Sequence, residues 1–303
     1  MRVTFLGTAA ARPTVGRNVS SLVVQREGEL LMFDCGEGTQ RQMMRYGTGF
    51  SLDDIFFSHL HADHFLGIIG LLRTLGLQGR EEAIRLWTPV GTEDLLRQAV
   101  QLGVDRVGFP VEIRGLEAGE RVDRGAYDVV PFRTVHGGRS LGYLIEEHPR
   151  LGRFDPERAR QLGIPEGPLW GRLHHGEAVE VEGRSISAAE LVGPPRPGRK
   201  LVYTGDTRPV PATTDASAGA DLLIHEATFA SDEAERAVAT GHSTARDAAL
   251  LAREAGVHRL VLTHFSPRYA DDPRILEREA RAVFPEVTVA FDGLTVEVPY
   301  RDD

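Results

Sequence analysis

Six consecutive residues, His59-Leu60-His61-Ala62-Asp63-His64, carry three imidazoles and one carboxylate. These are the ligand groups that zinc and similar divalent ions favour, and packing alone asks for nothing of the kind. The apolar run Ile55-Phe56-Phe57 before them reads as a buried strand, and Phe65-Leu66-Gly67-Ile68-Ile69-Gly70-Leu71-Leu72 after them as a buried helix. The ligands therefore occupy a tight strand-to-helix turn. Side chains two apart at a strand end point the same way, so His59 and His61 can hold one ion. Asp63 and His64 lie past the bend and can face a second.

Three further candidates each follow an apolar strand. His136 follows the run from Tyr127, Asp206 follows Leu201-Val202-Tyr203-Thr204, and His264 follows Leu260-Val261-Leu262. Residues at strand ends gather on one rim of a sheet. The set divides into His59, His61 and His136 for one ion and Asp63, His64 and His264 for the other. Asp206 can bridge them, because a carboxylate has two oxygens to share. Two ions about 3.5–4 Å apart can clamp a phosphate and activate water. Structural zinc is normally closed by about four ligands, so this larger set argues against a noncatalytic RNA-binding scaffold.

The elements that must position these residues follow in order. Strands are expected at Val3–Leu6, Ser21–Val24 and Leu30–Phe33, then a helix after Asp34-Cys35-Gly36-Glu37-Gly38-Thr39-Gln40. Asp34, at a strand end, either orients the metal turn or caps an ordinary turn. Cys35 reads as a small buried residue. A strand at Ile84–Thr88 precedes a helix with Thr92 as its cap, and strands follow at Tyr127–His136 and Leu141–Glu146. Beyond the strand at Leu222–Ile224, Ser243 is expected to cap a helix over Ala245–Ala255 closed by Gly256. The last helix starts near Asp272-Pro273, and Val287–Val298 supplies the final strands. His225 is expected to support a ligand from behind, and His148, His174, His175 and His258 to lie at the surface.

The texture changes over 148–200, where Gly, Pro and charge dominate. Asp155-Pro156 opens a short helix there, ended by Gly163, but apolar residues are few for a core, so the segment is expected to project as an arm. Leu169 and Trp170 are free to pack on a partner or stack on a base. The arm has nine Arg/Lys and seven Asp/Glu in a chain whose formal net charge is −9. An arm less acidic than its body is a handle for a polyanion. The acidic total argues against a nucleic-acid binder with a wholly basic surface. Lys200 is the only lysine, the other basic residues being arginine.

The chain has 303 residues, 41% of them hydrophobic, enough for a large core. Its single cysteine excludes an intramolecular disulfide and fits a reducing compartment. The opening Met1-Arg2-Val3-Thr4-Phe5-Leu6-Gly7 reads as a strand and turn, and no apolar run approaches the ~20 residues of a membrane span. A soluble, cytoplasmic protein is expected.

His-x-His-x-Asp-His with the downstream His136, Asp206 and His264 resembles the metallo-β-lactamase superfamily. Phe5-Leu6-Gly7-Thr8, Asp34 to Gln40, Gly205-Asp206-Thr207-Arg208-Pro209, His225-Glu226-Ala227-Thr228, Gly241-His242-Ser243-Thr244 and the Gly/Pro-rich arm narrow this to a resemblance to the ribonuclease Z family, the tRNA 3′-processing endoribonucleases. The resemblance covers essentially the whole chain. It implies an α/β fold, a four-layer αβ/βα sandwich over 1–303, with the arm inserted at about 148–200. It implies cleavage of precursor tRNA after the discriminator base, leaving a 3′-hydroxyl on the tRNA and a 5′-phosphate on the trailer. It further implies two zinc ions per subunit, with manganese as the alternative, and a homodimer in which one subunit's arm grips the tRNA cut by the other. Asp63 becomes ligand and proton acceptor, His242 the group that contacts the scissile phosphate or protonates the leaving oxygen, and Glu226 its support. Pro13-Thr14-Val15-Gly16-Arg17-Asn18 matches the family's PxKxRN element except for Val15, which stands in place of lysine. The competing enzyme is a phosphodiesterase, or a thioester or sulfate-ester hydrolase, of the same fold without tRNA specificity. The arm discriminates the two.

Overall fold

The computed structural model describes residues 1–104 and 106–301. The chain forms two compact units, Met1–Glu146 with Arg199–Pro299, and Glu147–Gly198 with the C-terminal residues from Tyr300. The larger unit begins with β1 (Arg2–Gly7), β2 (Ser21–Arg26), β3 (Glu29–Phe33), α1 (Thr39–Tyr46), β4 (Leu52–Phe56), α2 (Ala62–Phe65), α3 (Gly67–Leu77), β5 (Ile84–Pro89), α4 (Glu93–Val100) and β6 (Val111–Leu116). It continues with β7 (Val122–Asp123), β8 (Tyr127–Arg133) and β9 (Leu141–Glu147).

The smaller unit holds α5 (Pro156–Gln161), α6 (Pro168–His174) and the hairpin β10 (Val179–Val181) and β11 (Arg184–Ile186). Asp155 caps α5, its Oδ1 accepting from the Arg158 amide at 2.9 Å. Contrary to the sequence expectation, this unit has a core of its own. Ala159, Ile164, Leu173, Val179, Ile186 and Leu191 are buried together, with Leu169 and Trp170 packed against them. Trp170 stacks near Phe154, ring centres 5.3 Å apart, and donates Nε1–H to the Ile164 carbonyl. These two side chains serve the unit's interior. His174 is half-buried, its Nε2 lying 2.9 Å from the Gly152 carbonyl oxygen.

The larger unit resumes with β12 (Lys200–Tyr203), α7 (Pro211–Ser217), β13 (Leu222–Glu226), α8 (Ala234–Thr240), α9 (Ala245–Glu254), β14 (Leu260–Thr263), α10 (Arg274–Arg281), β15 (Val287–Val289) and β16 (Thr295–Glu297). Two seven-stranded sheets result, ordered β16-β1-β2-β3-β4-β5-β6 and β15-β14-β13-β12-β9-β8-β7. Apolar side chains of alternate strand positions meet between them, among them Phe5, Phe33, Phe56, Tyr143, Leu201 and Ile224. The opposite face of the first sheet is covered by residues of α1, α3 and α4, and that of the second by α9 and α10. The architecture is the four-layer αβ/βα sandwich. No helix among the described residues is long and apolar enough to cross a membrane.

β3 to β6 run parallel, as do β12 to β15. Their carboxyl ends therefore share a rim. Thr92 stands at the N-cap of α4 as expected but turns its hydroxyl back to the Pro89 carbonyl, and Thr244, not Ser243, caps α9 in a capping box with Asp247.

Away from the rim, a buried carboxylate joins the sheets. Asp54 accepts from Arg85 Nε and Nη2, both at 2.6 Å, from Trp87 Nε1 at 2.7 Å and from Arg124 Nη1 at 2.6 Å. Removing the anion strands partly buried guanidinium groups without a counter-charge. Asp54→Ala is expected to lower unfolding free energy by about 3 kcal/mol, read from urea denaturation. A midpoint equal to wild type would show that the sheets are held without it.

Candidate metal centre

The turn after β4 carries His59 and His61 and runs into α2 with Asp63 and His64, and the ends of β8, β12 and β14 bring His136, Asp206 and His264 to them. His61 Nδ1 lies 3.0 Å from both His59 Nε2 and His136 Nε2. His64 Nε2 and His264 Nε2 are 3.2 Å apart, and Asp63 Oδ2 lies 3.6 Å from the first and 3.4 Å from the second. Asp206 Oδ2 sits between the two groups, 3.3 Å from His64, 3.2 Å from His264, 3.7 Å from His136 and 3.8 Å from His59. All seven residues converge, as two triads joined by one carboxylate.

The remote face of four of the five imidazoles is anchored. His64 donates Nδ1–H to Asp34 Oδ2 at 2.8 Å. Ser58 Oγ–H donates to the same oxygen, so it accepts from His59 Nδ1 at 3.0 Å. His136 donates to the Gly241 carbonyl at 3.0 Å. His264 donates to Thr228 Oγ1 at 2.9 Å, which in turn donates to Glu226 Oε2 at 2.6 Å. With Nδ1 protonated in all four, Nε2 is the nitrogen each ring turns inward. His61 alone faces inward with Nδ1.

Asp34 thus orients the metal turn. It also takes the Ser58 amide and the Tyr203 hydroxyl, each at 2.7 Å, and holds a left-handed φ of 56°. His264 shares that strained region with φ of 59°, a conformation that persists only where surroundings enforce it. The Asp34 loop clasps the turn through Cys35, whose amide and carbonyl bond His64 O and Gly67 N. A Cβ on Gly67 would lie 1.9 Å from the Gly36 carbonyl oxygen, so no other residue fits.

The electrostatics suit cations. Burial opposes charge on His64, but Asp206, Asp34 and Asp63 outweigh it and draw a proton onto the ring. Burial likewise disfavours the ionised forms of Asp206 and Asp63, yet the surrounding imidazoles hold both carboxyls well below the usual range. Burial keeps His59 and His61 neutral. Asp206 Oδ1 is buried with no hydrogen-bond partner. The converging imidazoles, ionised carboxylates and an unmatched anionic oxygen form a donor set that divalent cations fit.

A cleft of about 490 Å³ opens over the rim, lined by His61, Asp63, His136, Asp206, His242 and His264, with Phe229 and Arg236 beyond. His242 sits beside the triads. Its Nδ1 lies 2.8 Å from Glu226 Oε1, and Glu226 is fully enclosed, also accepting from the amides of Thr207 and Thr228. Burial disfavours the imidazolium, but Glu226 prevails and raises the His242 pKa to about 9. His225 does not support a ligand. Its Nδ1–H goes to the Glu226 carbonyl oxygen, and burial keeps the ring neutral. Sequence reasoning missed Ser58, Tyr203, Thr228 and the Ala11 amide, which donates to Asp63 Oδ2 at 2.7 Å. Adjacency to His59 and His225-Glu226-Ala227 signals the first and third; nothing local signals Tyr203 or a backbone amide.

A sandwich of this topology with histidines and aspartates on one rim defines a class of metal-dependent hydrolases. The metallo-beta-lactamase superfamily profile matches residues 14–264. A Gemmatimonas aurantiaca protein named Ribonuclease Z is 58% identical over 99% of this chain and 97% of its own length. A Myxococcus xanthus protein of the same name is 56% identical over 100% and 99%. The crystal structure of human tRNase Z, short form, superposes with a TM-score of 0.72 at 30% identity, covering 99% of this chain and 100% of that one. The chain belongs to the ribonuclease Z family of the metallo-β-lactamase superfamily.

Asp34→Ala removes the acceptor that fixes His64, Ser58 and Tyr203. Loss of such a supporting partner typically weakens metal binding about 10–100-fold. That drop is expected in chelator competition while the circular dichroism stays native. Unchanged affinity would mean the turn holds its shape without Asp34.

Proposed function

We propose that this chain is a zinc-dependent endoribonuclease that cuts precursor tRNA after the discriminator base, freeing the trailer with a 5′-phosphate. One observation carries the reading: a histidine kept protonated by a buried glutamate stands beside a two-triad donor set. Phosphodiester cleavage needs a proton for the departing 3′ oxygen, and His242 is that donor. Full-length identity to proteins named Ribonuclease Z supports tRNA as the substrate.

His59, His61 and His136 would hold one cation and Asp63, His64 and His264 the second, with Asp206 shared. When bound, two divalent cations acidify water and offset charge on phosphoryl oxygens. Asp63 takes the proton of the attacking water. Its carboxyl is held low, so it is a weak base and serves only where the water is already acidified. Glu226 keeps His242 charged and aligned; Thr228 ties that pair to His264, so donor and ligand move as one.

We assign two zinc ions per subunit, with manganese the competing metal, and a cytoplasmic homodimer. The small unit of Glu147–Gly198 is the tRNA handle.

Incubation with a precursor tRNA should yield a 3′-hydroxyl at the discriminator, and chelator should stop it. A different 3′ end, or full rate in excess chelator, would sink the reading. The acid form of His242 is the active one, so rate should fall as pH rises through about 9. Glu226→Gln removes the group that raises this pKa. The alkaline limb should then move to lower pH, with kcat down about 10²-fold.

A further inference from the structure

Asp292 lies outside the ligand set, on the turn between β15 and β16. It accepts from Thr8 Oγ1 at 2.8 Å, from the Asn18 amide at 2.6 Å and from Gln42 Nε2 at 2.8 Å. Thr8 and Asn18 are the two ends of one loop, closed by Thr8 N and Ala9 N on the Asn18 carbonyl. At the crest of that loop Ala11, with φ of 61°, gives its amide to Asp63 Oδ2. That oxygen is the one turned toward His64 and His264.

A buried cation makes Asp292 more than a loop staple. Arg17 donates Nη1–H to Thr8 Oγ1 at 2.7 Å and to the Ala290 carbonyl at 2.8 Å, and lies 5.0 Å over the Phe265 ring. Thr8 has one proton, which it gives to Asp292, so the guanidinium reaches its counter-charge through that hydroxyl. Phe265 follows His264, its amide bonds Thr8 O, and its carbonyl receives Ala10 N. The same pin therefore touches Asp63 through Ala11 and His264 through Phe265. Without the anion, Arg17 is a buried charge lacking compensation and must move toward water, taking the loop with it.

We propose that Asp292 is a positioning residue for the metal centre, holding the 8–18 loop so that the Ala11 amide fixes which oxygen Asp63 presents. This rests on the reading of Asp63 as a metal ligand. The test uses the full chain loaded with Zn²⁺, with Asp292→Asn, Asp292→Ala and, to cut the relay while keeping the carboxylate, Thr8→Val. Three quantities are measured: amide exchange over 9–17, Zn²⁺ affinity by chelator competition, and turnover of bis(p-nitrophenyl) phosphate.

Asp292→Ala should speed exchange in that loop with the strands unchanged. It should also weaken one zinc about 10-fold and lower kcat about 10-fold at nearly constant KM. Asp292→Asn, which keeps the shape, should fall between it and wild type, and Thr8→Val should reproduce part of the loss. Faster loop exchange with wild-type zinc affinity and kcat would reduce Asp292 to a structural staple and overturn the proposal. So would losses that track faster exchange throughout the sheets. Failure of the wild-type protein to cut precursor tRNA would sink the nuclease reading instead, and leaves these zinc and exchange measurements standing.

Discussion

Lone pairs aimed at one another inside a protein repel, and this molecule is built around such a convergence. His64 Nε2, His264 Nε2 and Asp206 Oδ2 lie within 3.3 Å of each other. Left alone, the rings would swing apart or take up protons. They are held by what lies behind them: Asp34, Ser58, Gly241 and Thr228 each receive an Nδ1–H. Each such bond fixes one tautomer and one ring plane. The carboxylates that suit the site to a cation also pull a proton onto His64.

Those anchors are themselves anchored by the fold. Phe33, Phe56 and Tyr143 pack with ring centres 5.3–5.5 Å apart between the sheets, and Tyr203 meets Phe33 at 6.1 Å. This aromatic layer sends two hydroxyls toward the rim, Tyr203 to Asp34 and Tyr143 to the Phe57 carbonyl. Burial and Asp34 keep both phenols protonated, so they act only as donors. The sheets are tied near their other end by Asp54 and its guanidinium partners, which lets the carboxyl rim carry chemistry without also closing the sandwich. Parallel order in half of each sheet is what places so many strand ends on that rim.

The ligand set was legible because its signal is local. Four ligands fall within one turn, and the other three each stop an apolar run. Most strands of the two large sheets were legible for the same reason, through their apolar texture, but β6, β7 and the β10–β11 hairpin, whose residues are mostly only partly buried or exposed, were not. What escaped was set by contacts between distant residues or by backbone groups. Tyr203 meets Asp34 across 169 residues, and neither the Ala11 amide nor the Gly241 carbonyl has a side chain to betray it. The smaller unit's core escaped differently. Ala159, Ile164, Leu173, Val179, Ile186 and Leu191 are buried together, yet they are spread over two short helices and a hairpin with no sustained period. Ser243 and Thr244 could each cap α9, and the choice fell to Thr207, whose carbonyl claims Ser243.

His242 raises the remaining question of how a sixth histidine at the rim differs from the other five. It lies within cation-holding distance of His136 and Asp206, and of Glu226 and His264. The answer is in Glu226. Its oxygens are already occupied by Thr207, Thr228 and His242, so it has no free lone pair with which to join the cation site. Its charge, enclosed and unscreened, is spent on one proton, the one on His242 Nδ1. A ring with both nitrogens protonated cannot bind a cation, but it can donate to an oxygen in the cleft that His242 lines. His64 and His242 are both drawn toward the imidazolium, and their partners separate them. His64 faces carboxylates that a cation would also satisfy, so a bound cation would take the place of its proton. His242 faces a carboxylate with no lone pair left, so under the proposed mechanism it keeps Nδ1–H on Glu226 and the Nε2–H is the one available to a leaving oxygen.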